Sequence, residues 1–224
     1  MAPPEFAALL PPLVTSAWRS PLADAAPPFP EESRAIGLVA PARAREFANG
    51  RSVAHEALSA AGARPQPLLI RPDRSPDWPA GYCGSISHTA VAAMAVAAKL
   101  EHVAALGIDL ELANSVEQGL IDSICTHTEW ARLVDSSAWP SDDAATAAFC
   151  AKEAVYKYQA PLTAVFLEFH DVELVPGPAP GEFSATSSHP DAQAVVALGK
   201  GRLARAAGHW LALFWAWPGS PAPH

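Results

Sequence analysis

The chain has 224 residues, of which 50% are hydrophobic and 17% are charged, and its formal net charge is −8. This composition supports a sizeable core and argues against a disordered chain, while the length allows one large domain or two small fused ones. The negative charge disfavours general binding to nucleic acids or anionic membranes. Three cysteines without a CxxC pair support neither a disulfide framework nor a zinc ribbon.

The start of the chain does not have the pattern of a secretory signal. The first basic side chain is Arg19, and Pro11 and Pro12 interrupt the apolar run before it. This pattern predicts no secretory signal. The longest apolar run, 90–98, is about half as long as a membrane-spanning helix requires. We therefore expect a cytoplasmic protein that does not bind membranes.

The prolines indicate where regular structure is concentrated. Fourteen of the 23 precede residue 80, none lies in 80–139, and nine follow. Because proline lacks a backbone donor, it is poorly tolerated inside helices and central strands. We therefore expect the regular elements mainly in 80–160, and loop-rich segments at 1–40 and 176–191.

Two elements are predicted in the first half of the chain. Apolar residues at helical spacing predict a helix over 43–61, ended by Gly62. Arg43 and Arg51, eight positions apart, project from one side of that helix. The segment 81–98 is rich in Ala and Val, and we interpret it as a strand because a polar turn follows it.

The middle of the chain changes character from apolar to acidic. The polar turn at 99–102 leads into a second apolar strand at 103–108. Residues 112–142 are acidic and irregular, and we expect one short helix there.

The strongest helix signal comes after this acidic region. A dense run of helix formers predicts a helix that Asp142 or Asp143 caps, that continues to about Gln159 and that Pro161 ends. Strand-like runs follow at 164–175, 193–199 and 209–217.

The first candidate for chemistry is the pair Asp109 and Glu111 at the end of the second apolar strand. Side chains two positions apart in a strand share a face. Two carboxylates held together repel unless a cation or a proton lies between them. Oxygen ligands suit Mg²⁺. A solvated strand end gives the same pattern, so both interpretations stay open for the pair alone.

A second candidate is the Lys152-Glu153 dipeptide with Lys157 on the strong helix. Glu153 and Lys157 are four positions apart and share a face. This is the spacing of an ordinary surface ion pair, which contributes about 0.3–0.5 kcal/mol. The functional alternative makes Glu153 a third carboxylate and Lys157 a phosphate clamp.

Two further patterns suit phosphate binding. The segment GSISHT at 84–89 places short hydroxyls beside the imidazole of His88, but it lacks the G-x-S-x-G of a nucleophile elbow. It is equally typical of a polar turn that opens a strand. Six of the 15 basic residues cluster early in the chain, where they suit phosphate or form a solvated helix face. They are Arg43, Arg45, Arg51, Arg64, Arg71 and Arg74.

In order and spacing, these patterns together resemble the Sfp-type 4′-phosphopantetheinyl transferases. The similarity is to the subgroup that includes the enterobactin-cluster and mycobacterial enzymes, and it covers about 30–175. It rests on GSISHT at 84–89, GIDLE at 107–111 and FCAKEAVYK at 149–157, with REFANGR at 45–51 and DWPAGYCGS at 77–85 in support.

The resemblance implies a fold and an activity. The fold is an α+β pseudo-dimer of two similar halves, 1–103 and 104–224, each a small, mainly antiparallel sheet against a long helix. Coenzyme A lies in the cleft between the halves. The activity moves its phosphopantetheine arm to a serine of an acyl or peptidyl carrier protein, with Mg²⁺ or Mn²⁺ as the metal. The carriers of polyketide, nonribosomal-peptide and fatty-acid synthases all stay open as targets.

The resemblance also implies roles for individual residues. The implied metal ligands are Asp109, Glu111 and Glu153. Glu153 is also the proposed general base, and Lys157 lies near the transferred phosphate. The implied coenzyme-binding residues are Arg43, Arg51, Ser87, His88 and Lys152, with a further contact from Arg71 or Arg74. Thr89 departs from close relatives, which often have Cys there.

Two other functions stay open at this point. One is a different Mg²⁺-dependent phosphoryl- or nucleotidyl-transfer enzyme, and the other is a non-catalytic module that binds coenzyme A or a carrier. Since carriers are usually acidic, as this chain is, we expect docking through a local apolar patch with a few basic residues. It would come from 112–140 and from the strand before Glu111. We expect a monomer, because one chain supplies both halves.

Overall fold

Two antiparallel sheets, each packed against a helix of 20 residues, form the fold in the computed structural model, which describes residues 2–24 and 26–219. The helices are α1 Pro4–Leu9, α2 Pro30–Ile36, α3 Pro41–Ala60, α4 Ile121–Ile124, α5 His127–Asp135, α6 Ala144–Thr163 and α7 Pro190–Ala197. The strands are β1 Thr15–Arg19, β2 Tyr82–His88, β3 Ala93–Lys99, β4 Ala105–Leu112, β5 Val172–Pro176, β6 Glu182–Ser187, β7 Lys200–Ala206 and β8 His209–Ala216. The predicted α+β class is confirmed. Within the described ranges, no helix combines the length and the apolar character that crossing a bilayer requires.

The first sheet has the order β1-β3-β2, and both of its pairings are antiparallel. Helix α3 packs across this sheet. Ala54 and Ala57 of the helix share a buried cluster with Ala93, Ala95 and Ala97 of the central strand. Because the facing side chains are small, the helix lies close to the sheet.

The second sheet has the order β4-β8-β7-β6-β5, again with antiparallel pairings. Helix α6 packs against β4 and β8. A side chain at Gly107 of β4 would collide with the Ala154 carbonyl oxygen and the Tyr158 amide nitrogen of α6. The glycine therefore permits the close approach of the elements that carry Asp109 and Lys157.

Serine hydroxyls join the two sheets where β2 lies beside β4. Ser85 Oγ accepts a hydrogen bond from the Ile108 amide at 3.0 Å, and Ser87 Oγ accepts one from the Leu110 amide at 3.1 Å. An apolar cluster behind this contact includes Met94 of β3 together with Ile108 and Leu110 of β4. The two sheets therefore share part of their core.

The first 40 residues are more regular than their prolines suggest. The prediction that 1–40 is loop-rich holds only between the elements α1, β1 and α2, which lie there. Pro4 and Pro30 begin helices, where the missing amide would have had no partner in any case. The helix predicted over 43–61 is confirmed as α3.

The segment 81–98 forms two strands rather than the single predicted strand. The turn between β2 and β3 contains no Gly, Pro or Asn that would mark it. Instead, Thr89 Oγ1 accepts hydrogen bonds from the amides of Val91 and Ala92 at 3.4 and 3.2 Å. The predicted turn at 99–102 and the strand after it are confirmed, and that strand is β4.

The acidic region and the strong helix differ from prediction in detail. Residues 112–142 contain α4, α5 and a 3₁₀ turn rather than one short helix.

Pro161 lies inside α6 and does not end it. Asp143 stands at the N-cap position, but its carboxylate does not cap the helix. It accepts hydrogen bonds from the Asn114 amide at 2.6 Å and from Trp210 Nε1 at 2.8 Å.

The last third of the chain confirms one predicted strand in full. The run 209–217 is confirmed as β8, whereas only the last residues of 164–175 are in a strand, β5. The strand predicted at 193–199 is wrong, because α7 covers most of it and begins at Pro190. Strands β6 and β7 were not predicted, and β6 lies in 176–191, which is therefore not loop-rich throughout.

Candidate active site

A cavity of about 750 Å³ opens along the contact between β2 and β4. Helix α2, helix α3 and residues 70–78 line one wall. Helix α6 and residues 164–166 line the opposite wall, and β2 and β4 lie between them. The predicted site residues in its lining are Arg43, Arg51, Arg74, Ser87, His88, Asp109, Glu111 and Lys157.

Asp109 is the most constrained acidic residue of this cavity. It is 3% exposed, and its Oδ1 accepts hydrogen bonds from Lys157 Nζ at 2.6 Å and from Ser87 Oγ at 2.9 Å. Its Oδ2 is fully buried and has no hydrogen-bond partner. A buried carboxylate oxygen without a partner is costly. This atom therefore has unused capacity to accept a donor or a cation.

Glu111 and Glu153 lie close enough to Asp109 to feel its charge. Burial, and then the negative charge of Asp109, raise the pKa of Glu111 to about 7. The same two causes raise the pKa of Glu153. The ammonium group of Lys157 acts in the opposite direction on both. The negative charges of these carboxylates therefore disfavour the ionised forms of Glu111 and Glu153.

The acidic side of the cavity offers oxygen atoms of the kind that bind a divalent metal ion. Carboxylate oxygens are ligands that Mg²⁺ prefers, and the unpartnered Oδ2 of Asp109 is a free ligand atom. Across 2–24 and 26–219, however, no group of three or more His, Cys, Asp or Glu side chains is assembled so that it could hold a metal. Glu153 also lies outside the cavity lining. The donor chemistry fits Mg²⁺, and the three-carboxylate site stays a prediction.

The opposite wall of the cavity carries positive charge. The Arg51 side chain lies over the Phe47 ring, with its Cζ 4.5 Å from the ring centroid. The residue is 5% exposed, and its Nε has no hydrogen-bond partner. Burial lowers the pKa of Arg51 to about 10, and Arg43 adds to that effect. Arg51 is therefore a buried cation with an unused donor beside the cavity.

Arg43 and His88 are in direct contact on this wall. Arg43 Nη1 donates to His88 Nε2 at 3.0 Å, which requires a neutral imidazole. Burial lowers the pKa of His88, in agreement with that protonation state. Glu46, which the sequence analysis did not single out, accepts from Arg43 at 3.4 Å. These side chains form a polar cluster that faces the cavity.

The structure distinguishes between Arg71 and Arg74. Arg74 lines the cavity from a turn, where its φ of 69° lies in the left-handed region. Arg71 is outside the lining, and its Nε donates to the exposed Asp77 carboxylate at 2.9 Å. Of the two arginines, Arg74 is therefore the one that lines the cavity.

Ser87 has its hydrogen-bonding capacity filled within the protein. Its hydroxyl donates to Asp109 and accepts from Lys157 Nζ and from the Leu110 amide. The predicted phosphate contact of Ser87 would have to replace one of these bonds. In the structure, this serine joins β2, β4 and α6 around Asp109.

Lys152 is the predicted coenzyme-binding residue that the structure places elsewhere. It is 2% exposed, and its Nζ contacts Glu129 Oε2 at 2.8 Å and three backbone carbonyl oxygens at 2.7–2.8 Å. An ammonium group has three donors, so none is left for a ligand. The prediction that Lys152 binds the coenzyme is wrong. Lys152 anchors α6 to α5 and to the start of β5.

One part of the predicted docking patch is also wrong. The strand before Glu111, 105–110, is buried and offers no surface to a partner. Exposed apolar side chains do occur in the other predicted region, at Leu112, Leu120 and Val134.

The cavity lining contains Tyr156 and Phe166, which the sequence analysis did not select. Tyr156 could have been found, because it lies in the quoted segment at 149–157.

Comparison with known protein families identifies the chain. Residues 31–98 match the model of the 4′-phosphopantetheinyl transferase N-terminal domain. Residues 105–216 match the model of the 4′-phosphopantetheinyl transferase superfamily. The chain therefore belongs to the 4′-phosphopantetheinyl transferase superfamily, and the resemblance found in the sequence is confirmed.

Individual relatives support the same placement. The chain is 35% identical over 158 residues to the 4′-phosphopantetheinyl transferase Svp of Streptomyces mobaraensis, covering 70% of this chain and 64% of that protein. It is 34% identical over 151 residues to the 4′-phosphopantetheinyl transferase PptT of Mycobacterium tuberculosis, covering 66% and 64%. Enterobactin synthase component D of Escherichia coli is 39% identical over 117 residues, covering 51% and 54%. The chain thus matches less than two thirds of the length of these relatives.

A solved structure shows a more distant likeness. The holo-[acyl-carrier-protein] synthase of Thermotoga maritima superposes with a TM-score of 0.41 at 17% identity. The superposition covers 50% of this chain and 62% of that one.

Proposed function

We propose that this protein is a Mg²⁺-dependent 4′-phosphopantetheinyl transferase that uses coenzyme A as its substrate. It would transfer the phosphopantetheine arm to a serine of an acyl or peptidyl carrier protein. The observation that carries the proposal is one cavity whose lining contains both the cationic residues Arg43, Arg51 and Arg74 and the carboxylates Asp109 and Glu111. Membership of the superfamily supports the same activity.

The cationic wall suits the nucleotide end of coenzyme A, which carries a 3′-phosphate and a diphosphate. Arginine binds phosphate oxygens through charge-assisted hydrogen bonds. The unpartnered Nε of Arg51 is a ready donor for such a bond. Arg43, Arg74 and His88 would hold and orient the same end of the molecule.

The acidic side of the cavity suits the transfer step, in which a phosphorus–oxygen bond of the coenzyme A diphosphate breaks. The serine oxygen of the carrier forms a bond to the phosphorus that bears the pantetheine arm. The bond from that phosphorus to the bridging oxygen breaks, and its electron pair leaves with adenosine 3′,5′-bisphosphate. Phosphoryl-type transfers of this kind depend mainly on positioning and on charge stabilisation.

The residues of the acidic side have distinct parts in this reaction. Asp109, Glu111 and Glu153 would hold Mg²⁺, which supplies charge neutralisation to the diphosphate when it is bound. Glu153 would accept the proton of the carrier serine, directly or through water. Lys157 would offset the charge on the transferred phosphate, and its contact with Asp109 at 2.6 Å holds it at the cavity.

Three finer proposals concern the organisation of the molecule. We propose that the boundary between the two halves lies near residue 103, because the first sheet ends at Lys99 and β4 begins at Ala105. We propose that the active protein is a monomer, since one chain supplies both sheets and both long helices. We also propose that it acts in the cytoplasm.

The direct test is incubation with coenzyme A, Mg²⁺ and a panel of apo-carrier proteins, with detection by mass spectrometry. The proposal predicts that the phosphopantetheine mass is added to the carrier serine, and that adenosine 3′,5′-bisphosphate is released in equal amount. Chelation of Mg²⁺ should abolish both products. Cleavage of coenzyme A without carrier modification would indicate a different Mg²⁺-dependent enzyme, and binding without turnover would indicate a non-catalytic module.

A further inference from the structure

Glu32 on α2 is a completely buried carboxylate that the chemistry proposed above does not use. It is 0% exposed, and it bonds to Phe29 at the N-cap of its own helix and to two groups elsewhere in the first half of the chain. Its Oε1 lies 2.6 Å from His55 Nε2 of α3 and accepts from the Leu68 amide at 2.8 Å. Its Oε2 accepts from the Phe29 amide at 3.3 Å.

The elements that Glu32 connects are those that build the cationic wall. Helix α2 contributes Ala35 and Ile36 to the cavity lining, and α3 contributes Arg43 and Arg51. The segment that begins at Leu68 continues into the lining residues Ile70, Asp73, Arg74, Ser75, Pro76 and Trp78. One carboxylate therefore ties together α2, α3 and this segment.

The charge of Glu32 also acts on Arg51. Burial lowers the pKa of Arg51, and the negative charge of Glu32 is the influence that raises it. The carboxylate itself is held in its charged form, because its hydrogen bonds with His55 and Leu68 outweigh the effect of burial and lower its pKa. The buried arginine thus has a buried counter-charge nearby.

We propose that Glu32 is a positioning residue for the nucleotide end of the cavity. It joins α2, α3 and residues 68–78 into one wall through its bonds to His55 and to the Leu68 amide. This role rests on the proposed function, since the ligand of that wall is the adenosine 3′,5′-bisphosphate part of coenzyme A. Glu32 itself is not part of the cavity lining and does not touch the substrate.

The test compares Glu32→Gln with Glu31→Gln, a matched control on the same helix. Glu31 is exposed and pairs only with Arg34, one helical turn away, among the ion pairs of the described chain. For Glu32→Gln, we expect a rise of about tenfold in the Kd for adenosine 3′,5′-bisphosphate and in the KM for coenzyme A. This corresponds to about 1.4 kcal/mol. The kcat at saturating coenzyme A should stay within about twofold, as expected when only binding is lost.

A second measurement does not depend on the reaction. Hydrogen exchange of the Leu68 amide should become at least about tenfold faster in Glu32→Gln, and exchange in β5 should be unchanged. If Glu32→Gln does not fold, His55→Gln replaces it, since that variant keeps the carboxylate and its bond to Leu68. We then expect a rise of about threefold in the KM for coenzyme A with an unchanged kcat.

Several results would overturn the proposal. One is a folded Glu32→Gln protein whose nucleotide affinity and Leu68 exchange rate both equal those of the wild type. Another is a Glu32→Gln protein that loses kcat and nucleotide binding to the same extent and also shows faster exchange in β5. A His55→Gln protein with wild-type KM would contradict it in the same way. If the wild-type protein binds no nucleotide while Leu68 exchange still rises in Glu32→Gln, the proposed function fails and the connection between the wall elements stands.

Discussion

The two sides of the cavity differ in how their charges are balanced. On the side of α3, the buried Arg51 has an unused donor, and Arg43 contacts a neutral His88. On the side of α6, the ammonium group of Lys157 contacts Asp109 and acts electrostatically on Glu111. The first side contains cationic groups, one of them with an unpartnered hydrogen-bond donor. The second side contains negative charge that a cation would neutralise. The difference indicates that the first side binds phosphate and the second, with a metal ion, carries out the transfer.

The largest expected effect comes from the acidic side. Glu153→Gln keeps the size of the side chain but removes its ability to accept a proton. We expect kcat to fall by about 10²–10⁴ with little change in the KM for coenzyme A. Steady-state kinetics with an apo-carrier measure both constants. Glu101→Gln, at an exposed position in the turn before β4, is the control and should behave as wild type. A Glu153→Gln protein with normal kcat would remove the catalytic assignment.

A change of packing should disturb the acidic side of the cavity, where β4 lies against α6. In Gly107→Ala, the added methyl group collides with backbone atoms of α6 and pushes the helix away from β4. Such overpacking costs about 1–3 kcal/mol, which lowers Tm by roughly 2–12 °C in a chain of this size. Calorimetry measures the shift. Gly119→Ala meets no atom within 4 Å and is the matched control. Equal Tm values for the two variants would contradict the packing role of Gly107.

The cationic side should respond in binding rather than in rate. Arg51→Ala removes a buried guanidinium group, and hydrogen bonds to charged groups contribute about 1.5–3 kcal/mol. We expect the KM for coenzyme A to rise about 10–100-fold while kcat changes little. Arg64→Ala, at an exposed position beyond α3, is the control. If Arg51→Ala and Glu153→Gln changed KM alone and to the same extent, the two sides would not differ as described.

The smallest effect is expected for the carrier protein. Because this chain has a net charge of −8 and carriers are usually acidic, long-range attraction should contribute little to docking. We expect the KM for the carrier to change less than about threefold between roughly 0.05 and 0.5 M NaCl. A steep increase with salt would show that docking depends on charge rather than on an apolar patch.

Local sequence signals predicted the two helices that carry site residues more accurately than they predicted the surrounding turns and helices. The helices with Arg51 and Glu153 were predicted because helix formers and helical spacing agree over many residues. The turn between β2 and β3 was missed because the hydroxyl of Thr89 closes it, and no glycine or proline marks it. Helix α7 was predicted as a strand, although Pro190 gives a signal for a helix start.

For the site itself, spacing was informative only where side chains share a face. Glu153 and Lys157 are four apart, and both act electrostatically on Glu111. Lys152 directly precedes Glu153, and neighbouring residues on a helix point in different directions. Helical geometry alone could therefore have separated Lys152 from the site. The role of Glu32 could not be predicted, because its partners His55 and Leu68 are distant in sequence.

The most direct test of the division between the two sides is a crystal structure with coenzyme A and Mn²⁺, with the metal located by anomalous scattering. The account predicts a metal peak bound by Asp109 and Glu111 beside the diphosphate, and the adenosine 3′-phosphate in contact with Arg43 and Arg51. A metal peak away from these carboxylates, or a nucleotide bound outside the α3 wall, would contradict it.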